Sequence, residues 1–122
     1  MRIGEVAART GVSVRSLRYY EEQGLLGSTR TPSGQRHYTG DVVDRVRLIQ
    51  TLYSAGLSSR TIAQLLPCVD APGERTSDDA WERMLRERDR ITGHIEQLTR
   101  TRAMLDQLIA VNRDNRAEFA RR

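Results

Sequence analysis

The sequence is poor in the residues that hold metals and disulfides. Among 122 residues there are one cysteine, Cys68, and two histidines, His37 and His94. A disulfide within the chain is excluded, a Cys-only metal cage would have to be shared between chains, and redox sensing through an iron–sulfur cluster is excluded on the same count. Copper and mercury also demand soft ligands in number, so no metal and no cofactor is expected. Lysine is absent, and all 20 basic residues are arginine. No apolar run approaches the ~20 residues that span a bilayer, and the opening MRIGEVAART has no apolar signal core. A cytoplasmic protein without a membrane partner is the expectation. No phosphate loop, paired carboxylates or Ser/His/Asp pattern suggests an enzyme.

What is present is charge, unevenly placed. The formal net charge is +4. Residues 1–66 hold nine arginines against five acidic residues, and residues 67–122 hold eleven of each. The whole excess therefore sits in the first half. Either it is a solvated surface, or the first half faces a polyanion.

Residues 2–8 read as a short helix with Ile3, Val6 and Ala7 on one face. Gly11 suits a left-handed turn, and Ser13 suits an N-cap. Residues 14–22 read as a second helix, with Val14, Leu17 and one tyrosine inward and Gly24 just past its end. Two short helices joined by a glycine turn form a helix-turn-helix pattern, which any helical hairpin shares. Pro32, Ser33 and Gly34 then mark a turn. Its flanks, Ser28–Thr31 and Gln35–Thr39, can pair as a small ribbon carrying Arg30 and Arg36 on opposite arms. DVVDRVRLIQTLYSAG reads as a longer helix, capped by Asp41, striped with Val42, Val46, Ile49 and Leu52, and ended by Gly56. LSSRTIAQLL gives a fourth, capped by Ser58 or Ser59, with Ile62, Leu65 and Leu66 inward.

The stretch PCVDAPGERTSDD is linker-like. It places a hinge at 67–77, between a first domain at 1–66 and a long helix at 78–112. From residue 78 the apolar positions alternate in steps of three and four. Met84, Ile91, Leu98, Leu105 and Asn112 take d positions. Trp81, Arg88, Ile95, Arg102 and Ile109 take a positions. The stripe is a seam of ~45–50 Å at 1.5 Å per residue, and it calls for a partner helix, most economically that of a second chain. Arg88 and Arg102 weaken the seam unless they reach its edge. Folding back onto the first domain is the alternative. Gly93 is unfavourable in mid-helix by about 1 kcal/mol. The tail, 113–122, is polar and expected to fray.

IGEVAARTGVSVRSLRYYEEQGLL, followed by RTPSGQRHYTGDVVDRVRLIQTLYSAGLSSRTIAQLL and a long helix, resembles the MerR (mercury-resistance regulator) family of bacterial transcription regulators. The likeness runs almost unbroken over residues 1–66. It implies a mainly α fold: a winged helix-turn-helix DNA-binding domain joined to a long helix that forms an antiparallel coiled-coil dimer. It implies a homodimer that binds double-stranded promoter DNA and distorts it, acting on RNA polymerase through the DNA's shape. An architectural, excisionase-like accessory protein is the alternative, against which the long helix speaks.

By this resemblance Arg15 and Arg18 become DNA contacts in the major groove, where arginine takes guanine O6 and N7 or holds a phosphate. An internal pair of Arg18 with Glu21 or Glu22 is the competing reading. Tyr19 is expected to offer its hydroxyl to a phosphate while Tyr20 enters the core. Arg36 matches a backbone-contacting wing arginine, and Arg30 is a weaker candidate. Tyr38 reads mainly as the wing's core anchor, and His37 as wing surface. Gln35 departs from the family's aromatic, which puts the wing contact in question. Tyr53 stands where relatives are often basic and offers a hydroxyl only. Ser13 is a cap first and a phosphate contact second. The dimer seam is assigned to Trp81, Met84, Ile91, Ile95, Leu98, Leu105 and Ile109. Metal-sensing relatives carry cysteines that this chain lacks, and the large ligand domain of drug-sensing relatives is not found here. The options left are a small-molecule effector near Trp81, or regulation by abundance alone. Cys68 reads as a small apolar hinge residue.

Overall fold

The computed structural model describes residues 1–74 and 76–122. Among the described residues, five helices and a two-stranded ribbon occur in the order α1 (Ile3–Thr10), α2 (Val14–Glu22), β1 (Thr29–Arg30), β2 (Arg36–His37), α3 (Val42–Ser54), α4 (Ser59–Asp70) and α5 (Asp78–Ala120). Residues 1–84 form one compact unit and residues 85–122 another.

The turn between α1 and α2 is set by Gly11, whose φ of 73° is left-handed and whose N–H donates to the Ala7 carbonyl. Ser13 then caps α2, its hydroxyl accepting from the Ser16 N–H at 3.1 Å. The end of α2 is a Schellman motif. The Leu25 N–H donates to the Tyr20 carbonyl and the Gly24 N–H to that of Glu21, with Gly24 at φ 74°. This geometry satisfies two orphan carbonyls and turns Leu25 into the core. The same motif recurs at α3, through Leu57 to Leu52 and Gly56 to Tyr53.

The stripes expected from the sequence meet in one core. Val6 of α1, Leu17 and Tyr20 of α2, Val42, Val46 and Ile49 of α3, and Ile62, Leu65 and Leu66 of α4 are buried together with Leu25 and Tyr38. The ribbon is shorter than its expected flanks, two residues on each arm, with Thr29 opposite His37 and Arg30 opposite Arg36. Its base is closed by Met1, whose backbone exchanges two hydrogen bonds of 2.7 Å with Tyr38.

Four local expectations change. Asp41 precedes α3 but makes no side-chain cap, because its carboxylate accepts from the Thr39 hydroxyl instead. Helix α4 does not stop at residue 66. It runs through Pro67 to Asp70, where Arg45 pairs with the Asp70 carboxylate at 2.8 Å. Proline removes one donor, but the Ala71 N–H still closes the last turn on the Pro67 carbonyl. Arg75 of the expected hinge lies outside the described residues. At the other end, residues 113–120 continue α5, which is 43 residues long and ~65 Å at 1.5 Å per residue. Gly93 lies inside that unbroken helix.

Met84 is the fourth. The heptad pattern assigns it to the dimer seam, yet it packs against the first unit's core, one turn beyond the buried Ala80. Positions 80 and 84 share a helix face, and Arg83 beside them donates to the buried Thr61 hydroxyl at 2.8 Å. The first turns of α5 thus belong to the compact unit.

Ile49 lies fully buried where α3 crosses the core. Replacing Ile49 by Ala should lower unfolding stability by about 2–5 kcal/mol, read from urea melts, with secondary structure retained in the native baseline.

Candidate nucleic-acid interface

Helix α2 presents two faces. Leu17 and Tyr20 point into the core, while Arg15, Arg18 and Tyr19 are exposed. Arg15 and Arg18 are three apart and so share a face. Neither makes a hydrogen bond or ion pair with any described residue, so the internal pairing of Arg18 with Glu21 or Glu22 does not form.

Glu21 is engaged elsewhere. Its carboxylate takes the Arg36 guanidinium at 2.6 Å and also accepts from the Tyr38 hydroxyl. Arg36 and Tyr38 belong to the second arm of the wing. One carboxylate on the last turn of α2 therefore holds the wing against the helix. Only 12% of the Glu21 side chain is accessible, against 44% of Arg36. A charge so covered needs partners of this kind. Burial, followed by the Glu21 hydrogen bond and charge, pushes the Tyr38 hydroxyl up to about 12.

Between α2 and the wing lies a cavity of about 800 Å³, lined by Arg2, Ile3, Arg18, Glu21, Glu22, Arg30, Gln35 and Arg36. Four guanidinium groups thus face two carboxylates, one of which is already committed to Arg36. Arg30 reaches across the turn to the Gly34 carbonyl at 3.0 Å, and Arg2 donates to the Gln35 side-chain oxygen. His37 stays on the exposed wing surface.

Two of the remaining tyrosines, Tyr19 and Tyr53, converge on Ser59, the first residue of α4. Tyr19 and Ser59 hydroxyls are 3.2 Å apart, and the Tyr53 hydroxyl bonds the same oxygen. The Tyr53 ring stacks on Tyr20, with centroids 5.6 Å apart and planes at 23°. Tyr53 is thus anchored by stacking and Ser59, and Tyr19 is the more exposed of the two. Ser13 has its hydroxyl committed to Ser16.

An exposed arginine face on the second helix of a helix-turn-helix, flanked by a wing tied to that helix, matches known proteins along most of the chain. The family described as MerR HTH family regulatory protein matches residues 1–67, and the one described as MerR, DNA binding matches residues 43–108. The chain is 36% identical over 115 residues to the HTH-type transcriptional activator SoxR homolog of Chromobacterium violaceum, covering 88% of this chain and 72% of that one. It is 35% identical over 108 residues to the mercuric resistance operon regulatory protein of Bacillus cereus, covering 88% and 81%. The chain belongs to the MerR family of transcriptional regulators. Its fold is also that of HiNmlR, a MerR family regulator lacking the sensor domain, solved bound to promoter DNA. That likeness has a TM-score of 0.78 at 23% identity, over 95% of this chain and 92% of that one.

Two residues of this MerR-family surface, Glu21 and Arg2, are not found as site members by reading the sequence. Glu21 reads there only as a partner for Arg18, because its true partners lie 15 and 17 positions away and no local periodicity points to them. Arg2 reads locally as the residue before α1. Trp81, the suggested effector seat, is 57% exposed on the first turns of α5. Among the described residues no group of three or more His, Cys, Asp or Glu side chains is arranged to hold a metal ion. Among them, too, no helix is long and apolar enough to cross a membrane.

The raised Tyr38 value has a consequence for stability against pH. An unfolded tyrosine loses its proton near pH 10, and the folded one near 12. The contribution is fully present below about pH 10 and is lost as pH rises to about 12. Thermal melts between pH 9 and 12 should fall more steeply for the native chain than for Tyr38→Phe.

Proposed function

We propose that this MerR-family regulator acts as a homodimer on promoter DNA. Helix α2 enters the major groove, the wing lies on the adjacent backbone, and the bound duplex is distorted so that RNA polymerase responds to its shape. The observation that carries this reading is the pair Arg15 and Arg18, exposed and without a partner among the described residues, beside a wing fixed to the same helix. Two uncommitted guanidinium groups on one helix face suit guanine edges or phosphates, and no internal pair has to break first. Tyr19, Arg30 and Arg36 would contact phosphate and so orient the domain without reading sequence. Tyr53 and Ser13 support these groups from behind. A small-molecule effector would sit beside Trp81, whose ring is exposed.

The homodimer reading rests on α5. Ile95, Leu98, Leu105 and Ile109 are each more than half exposed in the single chain. Arginines in the seam favour one orientation. In a parallel pair Arg88 would face the other Arg88, and Arg102 the other Arg102. In an antiparallel pair with Ile95 opposite Leu98, Arg88 meets Leu105 and Arg102 meets Ile91. Every a position then meets a d position, and each arginine stem covers an apolar side chain while its head reaches water.

The tests are separate. Fluorescence anisotropy on the duplex upstream of the chain's own gene, with a scrambled duplex as control, should give a preference of ~10³-fold or more and an affinity that falls with salt. Arg18→Ala should weaken the specific complex by ~10-fold or more. Unchanged binding would sink the reading of α2. Sedimentation should find a dimer for the native chain and a monomer for Leu98→Asp, with the helix-turn-helix unit still folded.

A further inference from the structure

Arg2 is the one guanidinium in the cavity between α2 and the wing that comes from neither element. Its backbone is held on both sides. Its carbonyl accepts from the Glu5 and Val6 N–H groups at the start of α1, and the preceding residue is paired to Tyr38. Its side chain makes no cap for α1. Instead one guanidinium nitrogen donates to the Gln35 side-chain oxygen. Arginine has five donors in a planar fork, so most of them stay open on a side chain that is exposed and lines the cavity.

The charges around it decide what it can take. Glu21 is committed to Arg36 and Tyr38. Arg18 lines the same cavity without a partner among the described residues. An anion entering between α2 and the wing therefore meets Arg2, Arg18 and Arg30 together, against the single uncommitted carboxylate of Glu22 on the same lining.

We propose that Arg2 is a contact to a DNA backbone phosphodiester, set in position by Gln35. The inference rests on the DNA-binding reading above and adds to it a residue outside the recognition helix and wing. Gln35 is the natural positioning group: its amide oxygen fixes the guanidinium without neutralising it, as a carboxylate there would. A planar fork held at one edge is preorganised for an oxygen pair on phosphate. Because phosphate is the same at every step, the contact adds affinity and register and no base preference.

The test uses the full chain and anisotropy on the own-promoter and scrambled duplexes across a salt series. The variants are Arg2→Ala, Arg2→Lys and Gln35→Leu, with Arg18→Ala as the control for the DNA reading and thermal melts as the control for folding. Arg2→Ala is expected to weaken binding to both duplexes alike and to reduce the slope of log affinity against log salt by about 0.9 for each phosphate no longer neutralised. Arg2→Lys should restore most of that slope, and Gln35→Leu should lower affinity with the slope retained. If Arg2→Ala binds like the native chain while Arg18→Ala is weakened, the inference is wrong and the DNA reading stands. If neither variant differs from the native chain, the DNA reading fails with it. A weaker complex with unchanged slope would make Arg2 a structural support of the wing. Weakening on the specific duplex alone would make it a base contact. Either result overturns the proposal.

Discussion

A single carboxylate, Glu21, joins the two parts of the interface. It stands on the last turn of α2 and accepts from Arg36 and Tyr38 of the wing. The ribbon is only two residues long on each arm, and a hairpin of that size has no independent stability. Its position relative to α2 must come from elsewhere. The Glu21 contacts supply it at one end, and the Met1–Tyr38 backbone pair supplies it at the base. The arrangement also explains why Tyr38, buried in the core, carries a hydroxyl where phenylalanine would pack as well: the hydroxyl satisfies an oxygen of a largely covered charge.

Engaging Glu21 in this way has an electrostatic effect on its neighbours. A carboxylate three positions after Arg18 would otherwise be a ready i, i+3 partner. Turned toward the wing, it leaves Arg18 open. The net charge of +4 is therefore a poor guide to the interface. Arg9 is matched by Glu5, Arg45 by Asp70 and Arg36 by Glu21. On the α2 face Arg15 and Arg18 are both exposed, share one side of the helix and have no acidic partner among the described residues. An unmatched guanidinium exchanges water for phosphate without first breaking an internal pair, which is the less costly exchange.

The helices were legible because each carries its own punctuation. Ser13 and Ser58 cap, Gly24 and Gly56 close Schellman turns, and the apolar stripes keep the helix period between them. These are local signals. That Tyr20 is buried and Tyr19 exposed was legible for the same reason, since only one of two adjacent residues can face the core. What could not be read locally were choices between competing partners. Asp41 looks like a cap, and a hydroxyl two residues away takes its carboxylate. Pro67 looks like a stop, and an ion pair from α3 secures the turn beyond it. Met84 fits the heptad, and the nearby core claims it. In each case the sequence pattern names a residue's capability, and the fold decides among several uses of it.

The same distinction divides α5. One helix serves two solvents. Over its first turns Ala80 and Met84 have the first unit's core as their apolar surroundings. Farther along, Ile95, Leu98, Leu105 and Ile109 have water. A helix of 43 residues whose apolar positions repeat at seven is not explained by propensity, because its stripe is too narrow to be shielded by the helix itself. The interruption of that stripe by Arg88 and Arg102 carries information of its own. A uniformly apolar seam would accept a second helix in either orientation. In the proposed homodimer two arginines, placed symmetrically about Ile95, would penalise the arrangement that sets like charges opposite each other and tolerate the one that lays each over a leucine or isoleucine. Stability given up at those two layers would thereby be converted into a preference for orientation, and orientation would fix the separation and facing of two recognition helices on one duplex.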